Sequence, residues 1–285
     1  MTQPSGEPFC PRCLPRKRGL QDYDNRLVVF DTNVIESHYL APLLRGEQCR
    51  DFALLRQHVP SYKPGLYVKS YYEICQHAKL GTKRFPWLSD EFSYPGGVEK
   101  GRQILAQLPD CDPETNLYWW FCMAEEWTAC DWSEEENRVR SFVRRSDVEA
   151  ELLHLKVRRE FTEWKLALSG FCYRIGRVLE GHMTVLTPSD VYGRSGEYHD
   201  EVSSLEQDLA TRRLVPNEDL EIISAALACH ACAFVTAEKA LLTSTALSID
   251  LNWKTAFVHV DQLPTALAED FAFRWSRQQA SPRPV

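Results

Sequence analysis

Short apolar runs that end in polar residues recur along the chain. Runs rich in Val, Ile, Leu and Phe that are closed by helix-capping residue types are typical of buried strands that lead into helices. Because helical segments separate these runs, the pattern predicts an α/β fold, a three-layer α/β/α sandwich with a mainly parallel five-stranded sheet. The five predicted strands lie at residues 27–30, 66–69, 183–186, 233–236 and 256–260.

The second run indicates where a helix should begin. Pro64 and Gly65 precede this run, so we expect the strand to start after them. Ser70 follows it and is the expected N-cap of a helix that reaches about Lys79. This arrangement predicts that Glu73 lies in the first turn of that helix.

The segment between the second and third runs has a different pattern. Residues 133–180 contain no proline, and apolar residues recur there mostly three and four positions apart. This spacing is typical of one long amphipathic helix or of a pair of helices, so we expect a mostly helical insertion. The predicted divisions are a flexible basic arm at 1–22, an α/β core at 23–83 and 182–265, the insertion at 84–181, and a C-terminal tail at 266–285.

Length, charge and apolar content narrow the class of protein. The chain has 285 residues, of which 44% are hydrophobic, and this is enough to bury a full core. Its formal net charge of −7 argues against a protein that coats nucleic acid through bulk positive charge. No apolar run approaches the roughly 20 residues of a membrane span, and the first twenty residues do not resemble a secretory signal. We therefore expect no membrane association, a cytoplasmic location and reduced cysteines.

Four carboxylates are expected at one edge of the predicted sheet. Asp31 ends the first strand and Glu238 follows the fourth, while Glu73 and Asp219 each lie in the first turn of a predicted helix. Carboxylates this close to one another raise each other's pKa unless a cation offsets their charge. Mg²⁺ and Mn²⁺ favour such oxygen ligands and can orient water for attack on a phosphodiester.

The sequences around these four acids resemble the motifs of PIN-domain ribonucleases. The acids stand in the order that this family has, each in a matching local context. Two features depart from the family, because its last acid is usually Asp rather than Glu238, and because an insertion of about a hundred residues is larger than its small toxin-like members carry. The four matching stretches are VFDTNV at 29–34, SYYEI at 70–74, DLEIISAA at 219–226 and FVTAE at 234–238.

The resemblance implies a metal-dependent endonuclease that hydrolyses RNA and leaves a 3′-hydroxyl and a 5′-phosphate. One or two Mg²⁺ or Mn²⁺ ions would be held directly or through water by the four acids, while neighbouring polar side chains orient them. The alternative is a PIN-like scaffold that binds RNA or protein without cutting. The implied ligands are Asp31, Glu73, Asp219 and Glu238, and the implied orienting residues are Thr32, Asn33 and Thr236.

The biological role and the substrate are less constrained. Toxin, RNA-processing and effector roles stay open, as do an inhibitory or assembly protein partner and homo-oligomerisation. Trp119 and Trp120 could stack on bases, and Arg144 and Arg145 could contact phosphates, so we expect single-stranded or looped RNA. The structural alternatives are that the tryptophans pack against the core and that the arginines belong to an ordinary solvated helix face.

Two other chemistries compete with this interpretation. An Asp after an apolar strand also occurs in haloacid-dehalogenase-type phosphatases, but the second Asp of that motif is replaced here by Asn33. Cys10 with Cys13, and Cys229 with Cys232, have the spacing of zinc half-sites. Small buried thiols beside a core strand are the alternative for the second pair.

Overall fold

The structure is a computed structural model of the chain. It describes residues 26–58, 61–81, 85–88, 90–187, 203, 207, 210–211, 217–229, 231–239, 242, 255–269 and 271. The predicted arm at 1–22 lies outside these residues, together with Cys10 and Cys13, and so does most of the predicted tail at 266–285. Within the described residues, no helix combines the length and the apolar character needed to cross a membrane.

A five-stranded sheet with the order β3-β2-β1-β4-β5 forms the core, and every neighbouring pair is parallel. The predicted α/β class and the parallel five-stranded sheet are therefore confirmed. The strand order reverses between β1 and β4, because the first three strands extend in one direction and the last two in the other. The strands are β1 Leu27–Phe30, β2 Lys63–Tyr67, β3 Thr184–Leu186, β4 Ala233–Thr236 and β5 Ala256–His259.

Strand β2 begins earlier than predicted, since Pro64 and Gly65 belong to it. Pro64 pairs with β1, whereas the pairing of β2 with β3 starts at Gly65, so the missing N–H of proline falls where the strand has only one neighbour. A Cβ atom at Gly65 would lie 2.7 Å from Cδ1 of Leu27. The glycine therefore allows close approach of β1 and does not mark a turn.

The helix after β2 also begins earlier than predicted, at Val68. Ser70 is consequently inside the helix and not at its N-cap. It is fully buried, and its hydroxyl has no hydrogen-bond partner among the described residues. Glu73 lies in the second turn and not in the first. The prediction failed because Val68 and Lys69 suit a strand as well as a helix, and the direct change from strand to helix leaves no turn signal.

Helices alternate with the strands along the described part of the chain. They are α1 Thr32–Val34, a π-helix Ile35–Tyr39, α2 Leu40–Leu44, α3 Arg50–Gln57, α4 Val68–Leu80, α5 Val98–Leu105, α6 Pro113–Glu126, α7 Trp132–Phe142, α8 Val148–His182, α9 Asn217–Ala228 and α10 Leu263–Ala268. Short 3₁₀ turns lie at Asp90–Phe92, Trp127–Ala129 and Val260–Gln262.

Helices cover both faces of the sheet. On one face, Val29 of β1 belongs to the same buried cluster as Ile222 of α9. Phe30 points to the opposite face, because successive strand residues alternate. There its ring packs edge-on against Tyr39 and Phe52, with centroid distances of 5.5 and 5.3 Å. This arrangement is consistent with a three-layer α/β/α fold.

The chain divides into two compact units. One contains the sheet, with its described residues up to Ile74 and from Ile175 onward, and the other is Cys75–Arg174. The second unit is helical and lies between β2 and β3 in sequence. This unit begins inside α4 and ends inside α8, whereas the predicted insertion at 84–181 begins after α4 and ends near the end of α8.

The helical unit has an aromatic core of its own. Trp120 is only 5% exposed, and its ring lies 5.1 Å from that of Trp127 and 5.6 Å from that of Phe161. This packing argues against the predicted base-stacking role for Trp120. Trp119, one position earlier on α6, is 52% exposed, and its role in binding stays a prediction. The sequence alone could not separate these neighbours, because both lie in the same aromatic stretch.

Candidate active site

Asp31 lies at the carboxyl end of β1, where the strand order reverses. Its backbone N–H donates to the carbonyl oxygen of Val235 at 2.9 Å, which ties it to the end of β4. The residue occupies the N-cap position of α1, yet its side chain makes no capping hydrogen bond. Capping therefore does not explain a carboxylate that is only 2% exposed.

The electrostatic surroundings of Asp31 make its ionised form costly. Burial is the largest cause, and the nearby carboxylates of Glu238 and Glu73 add to it. The hydrogen bond from Thr236 acts in the opposite direction. The net effect raises the pKa of Asp31 from its ordinary 3.8 to about 6. The carboxylate of Asp31 thus interacts with those of Glu73 and Glu238.

Thr236 and Glu238 approach Asp31 from the end of β4. The hydroxyl of Thr236 donates to Oδ2 of Asp31 at 2.9 Å and accepts the backbone N–H of Glu238 at 3.0 Å. The side-chain amide of Asn33 donates to Oε1 of Glu238 at 2.9 Å. These bonds connect the carboxyl ends of β1 and β4. They hold the carboxylates of Asp31 and Glu238 at the point where the strand order reverses.

Glu73 joins the same group from helix α4. The hydroxyl of Thr32, the residue directly after Asp31, donates to Oε2 of Glu73 at 2.7 Å. A hydrogen bond to a carboxylate is stronger than one to a neutral acceptor. This bond therefore restricts the rotamer of Glu73. The carboxylate therefore lies at this edge although it belongs to the second turn of its helix.

The three predicted orienting residues each donate to a different acid. Thr32 contacts Glu73, Asn33 contacts Glu238 and Thr236 contacts Asp31. Each of these bonds links residues more than forty positions apart. Short polar side chains that each hold one carboxylate resemble the supporting hydrogen bonds around metal ligands. We call Asp31, Glu73 and Glu238 the acid cluster.

The fourth predicted acid, Asp219, lies in the first turn of α9 and is half-buried. Two residues later, Glu221 accepts the hydroxyl of Tyr67 at 3.0 Å, and Nζ of Lys69 lies 3.8 Å from its other oxygen. The start of α9 thus reaches the carboxyl end of β2. The direct approach of Asp219 to the acid cluster stays a prediction.

The side chain of Glu221 is 45% exposed, and it also makes contacts with distant parts of the chain. Its carboxylate contacts Tyr67 and Lys69, which lie two positions apart at the junction of β2 and α4. These contacts join residues about 150 positions apart in the chain, so local charge patterning could not reveal them. Lys69 also brings a positive charge to the same sheet edge as the acid cluster.

The donor set of the acid cluster fits a hard divalent cation, since every candidate ligand is a carboxylate oxygen. The supporting bonds use one oxygen each of Glu73 and Glu238 and leave the other oxygen for a ligand role. Across the described residues, however, no three His, Cys, Asp or Glu side chains form a group that could already hold a metal ion. Binding would therefore require the carboxylates to close in on the ion.

The remaining predicted residues lie elsewhere. Arg144 and Arg145 are exposed in the turn between α7 and α8, and their phosphate-binding role stays a prediction. Cys232 donates its thiol to the carbonyl oxygen of Leu27 at 3.0 Å. This contact supports the alternative of a packed thiol beside a core strand for the second cysteine pair.

Comparison of the chain with protein-family models, with curated proteins and with solved structures gave no match. The functional argument consequently depends on the sequence motifs and on the geometry described above.

Proposed function

We propose that the chain is a metal-dependent endoribonuclease with a PIN-like core. The observation that carries this proposal is the acid cluster at the strand-order reversal, in which each of three carboxylates is held by a separate side-chain donor. Ligands of open α/β sheets bind at this position, outside the carboxyl ends of the strands. The resemblance of the four sequence motifs to those of PIN-domain ribonucleases supports this chemistry.

Each member of the cluster has a distinct task in this proposal. Asp31, with its pKa of about 6, is mostly ionised at neutral pH and would be a ligand of the cation. Glu73, Glu238 and Asp219 would be the other carboxylate ligands. Mg²⁺ or Mn²⁺, when bound, supplies a nucleophilic water and stabilises the leaving oxygen.

Thr32, Asn33 and Thr236 hold the carboxylates in place when no cation offsets the negative charge of these acids. A threonine or asparagine donor stabilises one rotamer of its acid, so less ordering is needed when the cation and the phosphodiester arrive. Lys69, whose Nζ lies 3.8 Å from the carboxylate of Glu221, would add positive charge near a substrate phosphate at the same edge.

Single-stranded or looped RNA is the proposed substrate. The central acid is almost fully buried, whereas Glu73 and Glu238 are half-buried, so the cluster is recessed. An unpaired strand can bend a phosphate into such a recess more readily than a rigid duplex can. Hydrolysis that breaks the bond between phosphorus and O3′ would leave a 5′-phosphate and a 3′-hydroxyl.

Mapping of RNA ends in cells tests the proposal and identifies the target. The wild type and Asp31→Asn are expressed at equal levels, and the 5′-phosphorylated ends are sequenced. We expect recurrent cuts in unpaired segments with the wild type only. Identical end patterns for the two proteins, or cuts restricted to duplex DNA, would contradict the proposal.

A PIN-like scaffold that binds RNA or protein without cutting is the second candidate. It is favoured by one observation, that the described residues contain no ready group of three metal ligands. Titration of the purified protein with Mn²⁺ separates the two functions. Stoichiometric binding that Asp31→Asn abolishes supports the enzyme, whereas RNA binding without Mn²⁺ binding supports the scaffold.

A further inference from the structure

A cavity of about 260 Å³ lies at the amino ends of β2 and β3. Lys63 and Thr184, the first residues of these strands, line it together with Arg56 of α3 and His182 at the end of α8. The acid cluster lies at the carboxyl ends of the strands, so the two sites occupy opposite edges of the sheet. The cavity is therefore separate from the proposed cleavage site.

Positive charge in this cavity exceeds negative charge. Among the described residues, neither Arg56 nor Lys63 forms an ion pair with a carboxylate. Glu180 is the acid that lines the cavity, and it is buried and lies 3.2 Å from the guanidinium of Arg177. Its charge is therefore offset from outside the cavity.

The fold positions one cationic group of the cavity and brings others close to it. Nη2 of Arg56 donates to the carbonyl oxygen of His182 at 2.8 Å, which positions the guanidinium and leaves its other N–H groups for a ligand. The backbone N–H of Lys63 donates to the carbonyl oxygen of Arg26, which brings a third cationic residue to the same sheet edge. Ser61 adds a hydroxyl to the lining.

We propose that this cavity binds a phosphate group through Arg56 and Lys63. A guanidinium fork and an ammonium group together match the charge and the several acceptor oxygens of a phosphate. Ligand pockets for whole drug-sized molecules span roughly 300–1,000 Å³, so the cavity suits a phosphate with part of its sugar. The phosphate could come from free phosphate, a mononucleotide or the backbone of an RNA strand.

His182 provides a signal for binding within the cavity. Burial lowers the pKa of its imidazole, and the nearby guanidinium of Arg56 lowers it further. A bound phosphate would bring negative charge beside the ring and raise this pKa. The shift would be visible in an NMR titration of the histidine resonances, whatever the activity of the protein.

The test uses the full chain with three probes: inorganic phosphate, adenosine 5′-monophosphate and a short oligoribonucleotide without a terminal phosphate. Binding is measured by calorimetry and by the His182 titration for the wild type, Lys63→Gln and Arg56→Gln. Arg50→Gln is the matched control, because Arg50 is exposed at the start of the same helix and outside the cavity.

We expect a probe to raise the pKa of His182, and Lys63→Gln to weaken its binding about tenfold or more. Arg50→Gln should bind as the wild type does. Binding of the two small probes identifies a small phosphorylated ligand, and binding of the oligoribonucleotide alone identifies an RNA backbone. The proposal is overturned if no probe moves the His182 titration, or if Lys63→Gln binds every probe like the wild type. Either result leaves the cleavage proposal intact.

Discussion

Asp31 is ionised at neutral pH at a cost to the stability of the folded protein. Because its folded-state pKa of about 6 exceeds its ordinary 3.8, the folded state retains the proton over this interval while the unfolded state releases it. The free energy of unfolding therefore falls as pH rises from about 4 to 6, and the loss is complete above pH 6. A bound cation would offset this cost.

Replacement of this carboxylate should stabilise the metal-free protein. We expect Asp31→Asn to raise the free energy of unfolding at pH 7 by up to about 3 kcal/mol, with little change near pH 4. The measurement is urea unfolding in EDTA at both pH values, with the wild type as the reference. An Asp31→Asn variant that is equally destabilised at both pH values would contradict the assigned pKa.

Thr236 links two members of the acid cluster through one hydroxyl. Thr236→Val keeps the shape of the side chain but removes both the donor to Asp31 and the acceptor for the Glu238 N–H. We expect a loss of about 1–3 kcal/mol in the free energy of unfolding and a further rise in the pKa of Asp31. Thr236→Ser, which retains the hydroxyl, is the control and should remain close to the wild type.

Two of the glycines in helix α8 lie in contrasting surroundings. The same substitution tests both. A Cβ atom at Gly176 would lie 2.9 Å from Cζ of the buried Tyr71, whereas one at Gly170 would meet no atom within 4 Å. Gly176→Ala should destabilise by about 1–3 kcal/mol, because it overpacks this contact. Gly170→Ala should stabilise by about 0.5–1 kcal/mol through helix propensity. Thermal unfolding that ranks the two variants in the opposite order would show that the contact with Tyr71 is absent.

The strands could be predicted because each is a short apolar run bounded by polar residues, and all five are present. Their starts were less predictable. Pro64 and Gly65 usually mark turns, but the position of Pro64 beside a single neighbouring strand and the closeness of Gly65 to Leu27 suit them to β2. Such reasons are tertiary, and a local pattern does not contain them.

At the scale of the whole molecule, the order of the acids along the chain predicted that Asp31, Glu73 and Glu238 meet at one sheet edge. Parallel strands bring their carboxyl ends together, so it was sufficient that Asp31 and Glu238 follow strands and that Glu73 lies in the helix directly after β2. The contacts of Glu221 with Tyr67 and Lys69, and the burial of Trp120 beside an exposed Trp119, depend on packing between distant segments. The spacing of residues along the sequence could not predict these contacts or this burial.

Cleavage of unpaired RNA by the purified protein tests the central claim most directly. The wild type, Asp31→Asn and Asp261→Asn are compared in Mn²⁺ and in EDTA, since Asp261 is an exposed aspartate that follows β5 at the same sheet edge but lies outside the acid cluster. We predict Mn²⁺-dependent cutting by the wild type and Asp261→Asn, and a rate at least about a hundredfold lower for Asp31→Asn. Equal cutting by Asp31→Asn, or cutting that continues in EDTA, would contradict the assignment.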